Sequence, residues 1–167
     1  MVWVSDITYI PILGKWAYLS LIMDQAGKKI VGWNLQFTMT KELVIGALNQ
    51  ALINNPKPNF HHSDKGSQYC SYEHTDILKK NDILISMADT GVSVDNPFAE
   101  ALNRSVKVEE VYLNSYESLE HARQSIGAYI NDYNTKRLHT SIGYMPPCEY
   151  MENFKKNVKE FAINSLC

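Results

Sequence analysis

The chain has 167 residues, of which 45% are hydrophobic, and this suits one well-buried domain rather than two. Its formal net charge of −2 provides no basic signature of a nucleic-acid binder, although it does not exclude DNA binding. Three cysteines without a CxxC pair argue against a disulfide framework or a zinc ribbon and favour a reducing compartment. The longest nearly apolar run, 17–23, is too short to span a membrane, and no signal-peptide pattern opens the chain. We therefore expect a cytoplasmic protein.

The beginning of the chain predicts three strands in quick succession. Valine, isoleucine, threonine and aromatic residues fill three runs, and such residues fit a pleated, half-buried surface. Pro11 and Gly14 mark the first turn, and the residues DQAGKK supply the second. The strands extend over about 2–10, 15–24 and 28–37 and predict an antiparallel meander. Because the first strand begins without a preceding cap, we expect the natural chain to begin upstream.

Helices and strands alternate after the meander. A helix begins at Thr40, follows helical apolar spacing and ends before Pro56. The later elements are a strand at about 59–63, a helix at 72–81, a strand at 83–88, a loop at 88–96, and helices at about 97–112, 118–134 and 148–157. This order predicts a mixed, five-stranded α/β sheet with helices on both faces. We expect the core to span 1–135, and 136–167 to form a C-terminal tail that carries the last short helix.

Three carboxylates lie where these elements could bring them together. Asp6 is in the first strand, Asp64 ends the fourth, and Glu100 is in the first turn of its helix, where the dipole favours any acid. Each of them alone has an ordinary explanation as a strand, turn or helix-start residue. However, the first and fourth strands of a mixed sheet commonly lie side by side, so the three carboxylates would converge. Such a group repels itself unless a cation such as Mg²⁺ or Mn²⁺ lies between them, and a pair of these ions suits phosphoryl transfer.

Four sequence motifs extend this interpretation, namely SDITYI, HHSDKGSQY, VDNPFAEALN and YNTKRLHTSIGYMPPCEY. Together they resemble the catalytic core of bacterial insertion-sequence transposases of the integrase type, which are related to retroviral integrases. The resemblance runs from about Trp3 to Met151, and the 35 residues between Asp64 and Glu100 match the spacing in many members. It implies a ribonuclease H-like fold and an Asp, Asp, Glu catalytic triad formed by Asp6, Asp64 and Glu100.

The same resemblance implies the chemistry and the partners. The triad would bind two Mg²⁺ or Mn²⁺ ions, and the enzyme would cut a phosphodiester at the end of a mobile element. The exposed 3′ hydroxyl would then attack a phosphate of the target DNA. The enzyme would act on DNA beside the nucleoid as a homo-oligomer, because two element ends must be held together. The helical DNA-recognition domain of the family is missing from this sequence and is expected upstream.

DNA contacts are expected in three places. Lys65 and Gln68 lie in the block around Asp64, where small residues would let the backbone approach DNA. Asn96 opens the helix of Glu100, and Arg104 and Lys107 share the Glu100 face of that helix at i+4 and i+7. No contacts are expected from positions 101–103, which depart from the family pattern. Lys136 and Arg137 belong to the closing motif, whose matching residues are Tyr133, Asn134, Arg137, His139, Gly143, Tyr144 and Pro147.

Other functions remain open for the same residues. The segment around Asp64 could be an ordinary polar turn. A ribonuclease H-like nuclease would only hydrolyse its substrate, and a silent, domesticated domain would bind DNA or a partner without chemistry. A strand-transfer assay separates the transposase from the nuclease, and a cleavage assay with Mn²⁺ tests the silent domain.

The remaining polar and aromatic side chains favour structural roles. His61, His62 and His74 lack the further ligands of a tetrahedral zinc site. A nucleophile and base formed by Ser63 and His62 is disfavoured, because neighbours in a strand point to opposite faces. The same applies to a pair formed with Ser67. The tryptophans lie one to a strand, and we interpret them as core residues, namely Trp3, Trp16 and Trp33.

Overall fold

The computed structural model describes residues 1–88 and 97–164, with side chains described up to residue 157. Within these residues, the centre is a five-stranded sheet with the order β3-β2-β1-β4-β5. Its strands are β1 (Val2–Ile12), β2 (Lys15–Asp24), β3 (Ile30–Gln36), β4 (Phe60–Ser63) and β5 (Leu84–Met87). The meander β1-β2-β3 is antiparallel, whereas β4 is parallel to both β1 and β5. The mixed sheet and the pairing of the first and fourth strands are therefore confirmed.

Five α-helices surround the sheet in the described part of the chain. They are α1 (Lys41–Asn54), α2 (Tyr72–Lys80), α3 (Pro97–Glu109), α4 (Leu119–Thr135) and α5 (Pro147–Asn164). Two short 3-10 turns lie between them, at Val111–Leu113 and Thr140–Ile142. Ser118 caps α4 by accepting the His121 backbone N–H at 3.0 Å. Thr40 occupies the cap position of α1, but its side chain makes no capping hydrogen bond. No described helix combines the length and the apolar character needed to cross a bilayer.

The element bounds differ from the predicted ones in several elements, and α3, for example, ends at Glu109 rather than near residue 112. β1 continues through Pro11 to Ile12, because β4 reaches only Val2–Val4 and leaves the later edge of β1 unpaired. A proline is tolerated on such an edge, where no partner requires its missing N–H. Helix α5 extends to Asn164, well past the predicted end near residue 157. The predicted loop at 88–96 lies, except for Ala88, outside the described residues.

The hydrophobic core has one layer on each side of the sheet. On one side, β1 and β2 pack against α3 and α4 through residues such as Val4, Ile10, Leu21, Val106 and Ile126. On the other side, Trp3 and Ile22 pack against α1 and α2 through Leu48, Ala51 and Leu78. The alternation of side chains along β1 and β2 explains how the same two strands supply both layers. Helices on both faces are therefore confirmed.

The closing motif holds α4 and the tail on the sheet. Asn134 accepts the Ile30 N–H and donates to the Ile30 carbonyl, both at 2.9 Å, so its amide acts as an extra partner for β3. Gly143 adopts φ of +78°, which favours glycine. The Met151 side chain lies against Gly27, where a Cβ atom would be only 2.4 Å from its sulfur. The tail is thus in contact with the core, and its division from 1–135 stays a prediction.

Candidate active site

A groove opens where the edge of β1 is free and α3 passes over it. The groove has a volume of about 520 Å³ and is lined by Asp6, Ile7, Thr8, Tyr9, Glu100, Asn103, Arg104, Lys107, Val108 and Tyr112. Two of the three predicted catalytic carboxylates therefore share one cavity, although 93 residues separate them in the chain. The fold brings them together because β4 stops short of Asp6 and leaves room for the face of α3.

Asp6 is held by hydrogen bonds at both carboxylate oxygens. The Ile7 N–H donates to Oδ1 at 2.8 Å, and the Asn103 Nδ2 donates to Oδ2 at 2.7 Å. Burial raises the pKa of Asp6 from 3.8 to about 6, the negative charges of Asp64 and Glu100 add to this rise, and the two hydrogen bonds oppose it. Asp6 is thus a rigidly oriented carboxylate whose negative charge is disfavoured until a cation approaches.

Asp64 follows β4 directly, at the start of the turn that begins the second motif. Its Oδ1 accepts the Gly66 N–H at 2.9 Å. A Cβ atom at Gly66 would lie 2.9 Å from that same oxygen, so glycine is required for this arrangement. The turn is attached to β1 by the buried Tyr69, whose hydroxyl lies 2.8 Å from Ser5 Oγ. The turn is therefore polar because its backbone and side chains fix the position of Asp64 beside Asp6.

Helix α3 presents one polar face to the groove. Glu100, Asn103, Arg104 and Lys107 follow one another at i, i+3, i+4 and i+7, and all of them line the cavity. The predicted common face of Glu100, Arg104 and Lys107 is present in the structure. The opposite face of the helix carries Leu102 and Val106, which are buried in the core. Two cations thus follow the carboxylate along the same wall of the groove.

Asn103 is a site residue that the sequence did not reveal. Positions 101–103 depart from the family pattern and predict no DNA contacts, yet the Asn103 side chain is the partner of Asp6. Its Oδ1 is buried and has no hydrogen-bond partner in the described structure. The available signal was its spacing, since an amide three residues after Glu100 must lie on the same helix face. The contact of Asn103 with Asp6 depends on how α3 packs across β1, which the sequence does not show.

The carboxylates fit a divalent cation in chemistry, although their described arrangement is not a closed ligand shell. In the part of the chain that the structure describes, no three His, Cys, Asp or Glu side chains are grouped closely enough to hold a metal. Asp64 acts on the pKa of Asp6 but does not line the groove with Asp6 and Glu100. Carboxylate oxygens are nevertheless the ligands that Mg²⁺ and Mn²⁺ prefer. A bound divalent ion would offset the unfavourable negative charge of the buried Asp6 carboxylate.

The predicted DNA contacts near Asp64 have different surroundings. Lys65 is exposed beside Asp64. The Gln68 Nε2 donates to the Met39 carbonyl at 3.0 Å, so this side chain ties the turn to the connection between β3 and α1. Asn96 lies outside the described residues. Lys65 is thus more exposed than Gln68.

The two basic residues of the closing motif have partners within the chain. Lys136 is paired with Asp132 at 2.8 Å. Arg137 is paired with Glu109 and lies over the Tyr133 ring, with 5.3 Å between the guanidinium carbon and the ring centroid. Neither residue lines the groove that holds Asp6 and Glu100. The structure thus gives both residues a role in the fold, and their contact with DNA stays a prediction.

The histidines and tryptophans divide between core and surface. His61 and His74 are buried, with their ring centroids 5.3 Å apart. Burial, assisted by the neighbouring His74 and His62, lowers the pKa of His61 to about 3. Trp3 is fully buried as predicted, but the prediction for Trp16 is wrong, because its side chain is 60% exposed. Trp16 lies near the tip of the β1-β2 hairpin, where no described helix covers the sheet.

Comparison with known sequences identifies a family. The family model described as "Integrase core domain" matches residues 1–93, and a second model of the same description matches residues 81–147. The transposase for insertion sequence element IS629 of Shigella sonnei is 36% identical over 148 residues, which cover 88% of this chain and 50% of that protein. The chain therefore spans about half the length of this relative.

Solved structures with low sequence identity share the fold. A chain of the simian T-cell lymphotropic virus intasome, in complex with PP2A regulatory subunit B56 gamma, matches with a TM-score of 0.77 at 15% identity, over 89% of this chain and 53% of its own. The HTLV-2 integrase catalytic core domain in complex with magnesium, in its trimeric form, matches with a TM-score of 0.68 at 15% identity, over 89% of this chain and 94% of its own. The predicted ribonuclease H-like fold is confirmed, and the chain belongs to the integrase core domain family.

Proposed function

We propose that this chain is the catalytic core of an insertion-sequence transposase, and that it transfers DNA phosphodiesters with the help of divalent metal ions. The observation that carries the proposal is the groove itself. Asp6 and Glu100 line it together with the cations Arg104 and Lys107, and the negative charge of Asp64 raises the pKa of Asp6. A site for phosphoryl transfer needs both features, namely anionic metal ligands and cationic contacts for the phosphates.

Each side chain has a distinct task in this mechanism. Asp6, Asp64 and Glu100 would hold two Mg²⁺ or Mn²⁺ ions, which supply activation of the attacking oxygen and stabilisation of the leaving one. Asn103 and the Ile7 N–H keep the Asp6 carboxylate in one orientation, so little reorganisation is needed during the reaction. Arg104 and Lys107 would hold the phosphates next to the reacting bond. We assign no covalent intermediate to the protein, because the DNA hydroxyl itself is the second nucleophile.

The wider setting of the reaction follows from the relatives. We propose that DNA ends are recognised by a part of the protein that corresponds to the unmatched half of the IS629 transposase. We also propose that the core self-associates, as two element ends must meet at one target. The HTLV-2 core was solved in a trimeric form, which supports this proposal. The cytoplasmic location stays a prediction from the sequence.

The test is a joint cleavage and strand-transfer assay with the purified chain, Mn²⁺, labelled duplex DNA and an unlabelled target. We expect products with a 3′ hydroxyl and their joining to target DNA, and we expect Asp64→Asn to abolish both. Asp76→Asn is the matched control, because it removes a partly buried carboxylate of α2 that is paired with Lys80 outside the groove. Cleavage without joining would favour the hydrolytic nuclease. Absence of both activities with every divalent metal would favour the silent domain and overturn the proposal.

A further inference from the structure

An aromatic cluster lies exposed on the β1-β2 hairpin. Tyr9 and Trp16 are in T-shaped contact with 6.2 Å between ring centroids, and Tyr9 and Tyr18 are in similar contact at 5.3 Å. The side chains of Tyr9 and Trp16 are 48% and 60% exposed. Farther along the same face of the sheet, Trp3 is fully buried beneath α1 and α2. This face of the sheet is therefore buried at the Trp3 end and exposes aromatic rings at the Trp16 end.

The aromatic cluster is continuous with the candidate active site. Tyr9 belongs both to the cluster and to the lining of the groove that contains Asp6 and Glu100. Tyr112, which is 68% exposed, lines the same groove together with Arg104 and Lys107. The carboxylates, the two cations and the aromatic rings of Tyr9 and Tyr112 thus share the lining of one groove.

The charge of the hairpin also suits a polyanion. Between Asp6 and Asp24 the sequence contains no acidic residue and one basic residue, Lys15. In a chain of net charge −2, residues 7–23 of the hairpin are thus a long stretch without a negative group. Nucleic acid without base pairing is held by surfaces of this kind, in which cations contact the backbone and aromatic rings stack on bases.

We propose that Tyr9 and Trp16 stack on an unpaired nucleobase of the DNA strand that leaves the active-site groove. The inference rests on the proposed function, since it places the base beside the reacting phosphate. Stacking on these rings is independent of base identity, because every base presents a π-face. The hairpin therefore selects frayed or single-stranded DNA near the cut, and duplex DNA gains nothing from it.

The experiment measures binding without chemistry. Fluorescence anisotropy in EDTA compares a blunt duplex with the same duplex carrying a short single-stranded extension, for the wild type and Trp16→Ala. We expect Trp16→Ala to lose on the order of tenfold in affinity for the extended duplex and to bind the blunt duplex unchanged. Trp16→Phe retains a ring and is expected to recover most of the loss. Two controls remove exposed side chains that do not belong to the aromatic cluster. Leu13→Ala removes a non-aromatic side chain at the hairpin tip, and Tyr144→Ala removes a ring in the tail. Both variants should bind both DNAs as the wild type does.

The outcomes separate this inference from the proposed function. Equal binding of the extended duplex by the wild type and Trp16→Ala overturns the stacking site, even where the wild type cleaves DNA in Mn²⁺. Selective loss in Trp16→Ala supports it, even where no cleavage is found. An exposed aromatic surface can also form a contact between subunits, and sedimentation of the same proteins tests this alternative. If Trp16→Ala dissociates an oligomer and weakens binding to both DNAs equally, the cluster is a contact between subunits and the inference is wrong.

Discussion

The ionised form of Asp6 destabilises the metal-free fold, although the proposed metal binding requires that form. Its folded pKa of about 6 exceeds the ordinary value of 3.8, so the folded chain binds this proton more tightly than the unfolded chain does. Its contribution to stability is therefore present below a pH of about 4 and is lost as the pH rises through about 6. A pKa rise of this size corresponds to a change of at most about 3 kcal/mol in the free energy of unfolding. A bound divalent cation would remove the disadvantage, because it favours the ionised carboxylate.

This predicts that Asp6→Asn stabilises the metal-free protein above pH 6, by up to about 3 kcal/mol. Chemical denaturation in EDTA at several pH values measures the effect as a difference between the variant and the wild type. The difference is needed because His61 acts in the opposite direction. Its lowered folded pKa makes the chain lose stability as the pH falls below 6.5. A variant that is no more stable than the wild type at pH 8 would contradict the assigned strain at Asp6.

Asn103→Leu provides the complementary measurement. It removes the donor to Asp6 Oδ2, one of the two contacts that lower the pKa of Asp6. The pH-dependent loss of stability should therefore extend to higher pH than in the wild type. Asn54→Leu, on the exposed side of α1, removes an amide that bonds only the Gln50 carbonyl and serves as the control. A shift of the profile in the control would point to a general effect of losing an amide.

At the scale of elements, the contact between β3 and α1 depends on one glycine. A Cβ atom at Gly32 would lie 2.3 Å from the Ala47 carbonyl oxygen and 2.8 Å from the Ala51 Cβ. These neighbours belong to the helix backbone and to a side chain without rotamers, so the helix itself must move. We therefore expect Gly32→Ala to lower the free energy of unfolding by about 1–3 kcal/mol, as overpacking does elsewhere.

The matched control is Gly127→Ala in α4, where the added Cβ would meet the Trp33 ring at 3.2 Å. A side chain can shift there, and alanine is the better helix former by about 1 kcal/mol. Urea denaturation of both variants gives the comparison. Similar stability of the two variants would mean that α1 adjusts to the strand without cost.

The elements were also what the sequence predicted best. Runs of β-branched residues separated by turn residues give β1, β2 and β3 within a few residues, since local composition determines such strands. The predicted end of α5 near residue 157 is too early, because that prediction did not extend the apolar spacing of Phe154, Val158 and Phe161. Trp16 was misjudged for a different reason. A strand pattern shows which side chains share a face of the sheet, but not how far the helices of another segment cover that face.

The candidate site was predictable only in part. The motifs and their spacing point to Asp6, Asp64 and Glu100, and helical geometry places Arg104 and Lys107 with Glu100. The bond from Asn103 to Asp6 joins residues that are distant in sequence, so no local pattern reports it. The same holds for the pairing of Arg137 with Glu109, which links α3 to the segment after α4, while a DNA contact of Arg137 stays a prediction.

At the scale of the whole molecule, electrostatics limits how this chain meets DNA. The net charge is −2, and the groove supplies two cations, Arg104 and Lys107. We expect weak binding of duplex DNA without sequence preference, and a fall in affinity with salt that corresponds to about two phosphate contacts, a slope near −2 in a log–log plot. Anisotropy titrations over a range of salt concentrations measure this slope.

Removing one of the cations tests the origin of the slope. Lys107→Ala should reduce its magnitude by about one, because one phosphate contact is lost. Lys79→Ala, an exposed lysine on α2 outside the groove, should leave it unchanged. Tight, sequence-specific binding by the wild type would instead place end recognition within these residues.

The sheet order β3-β2-β1-β4-β5 also has a consequence during translation. Ribosomes add about 5–20 residues per second, and the meander is complete long before α3 has been made. A nascent or prematurely terminated chain can therefore form the surface that carries Asp6, while Glu100 and the cations of α3 are still missing. Such a product lacks the groove on which the proposed chemistry depends.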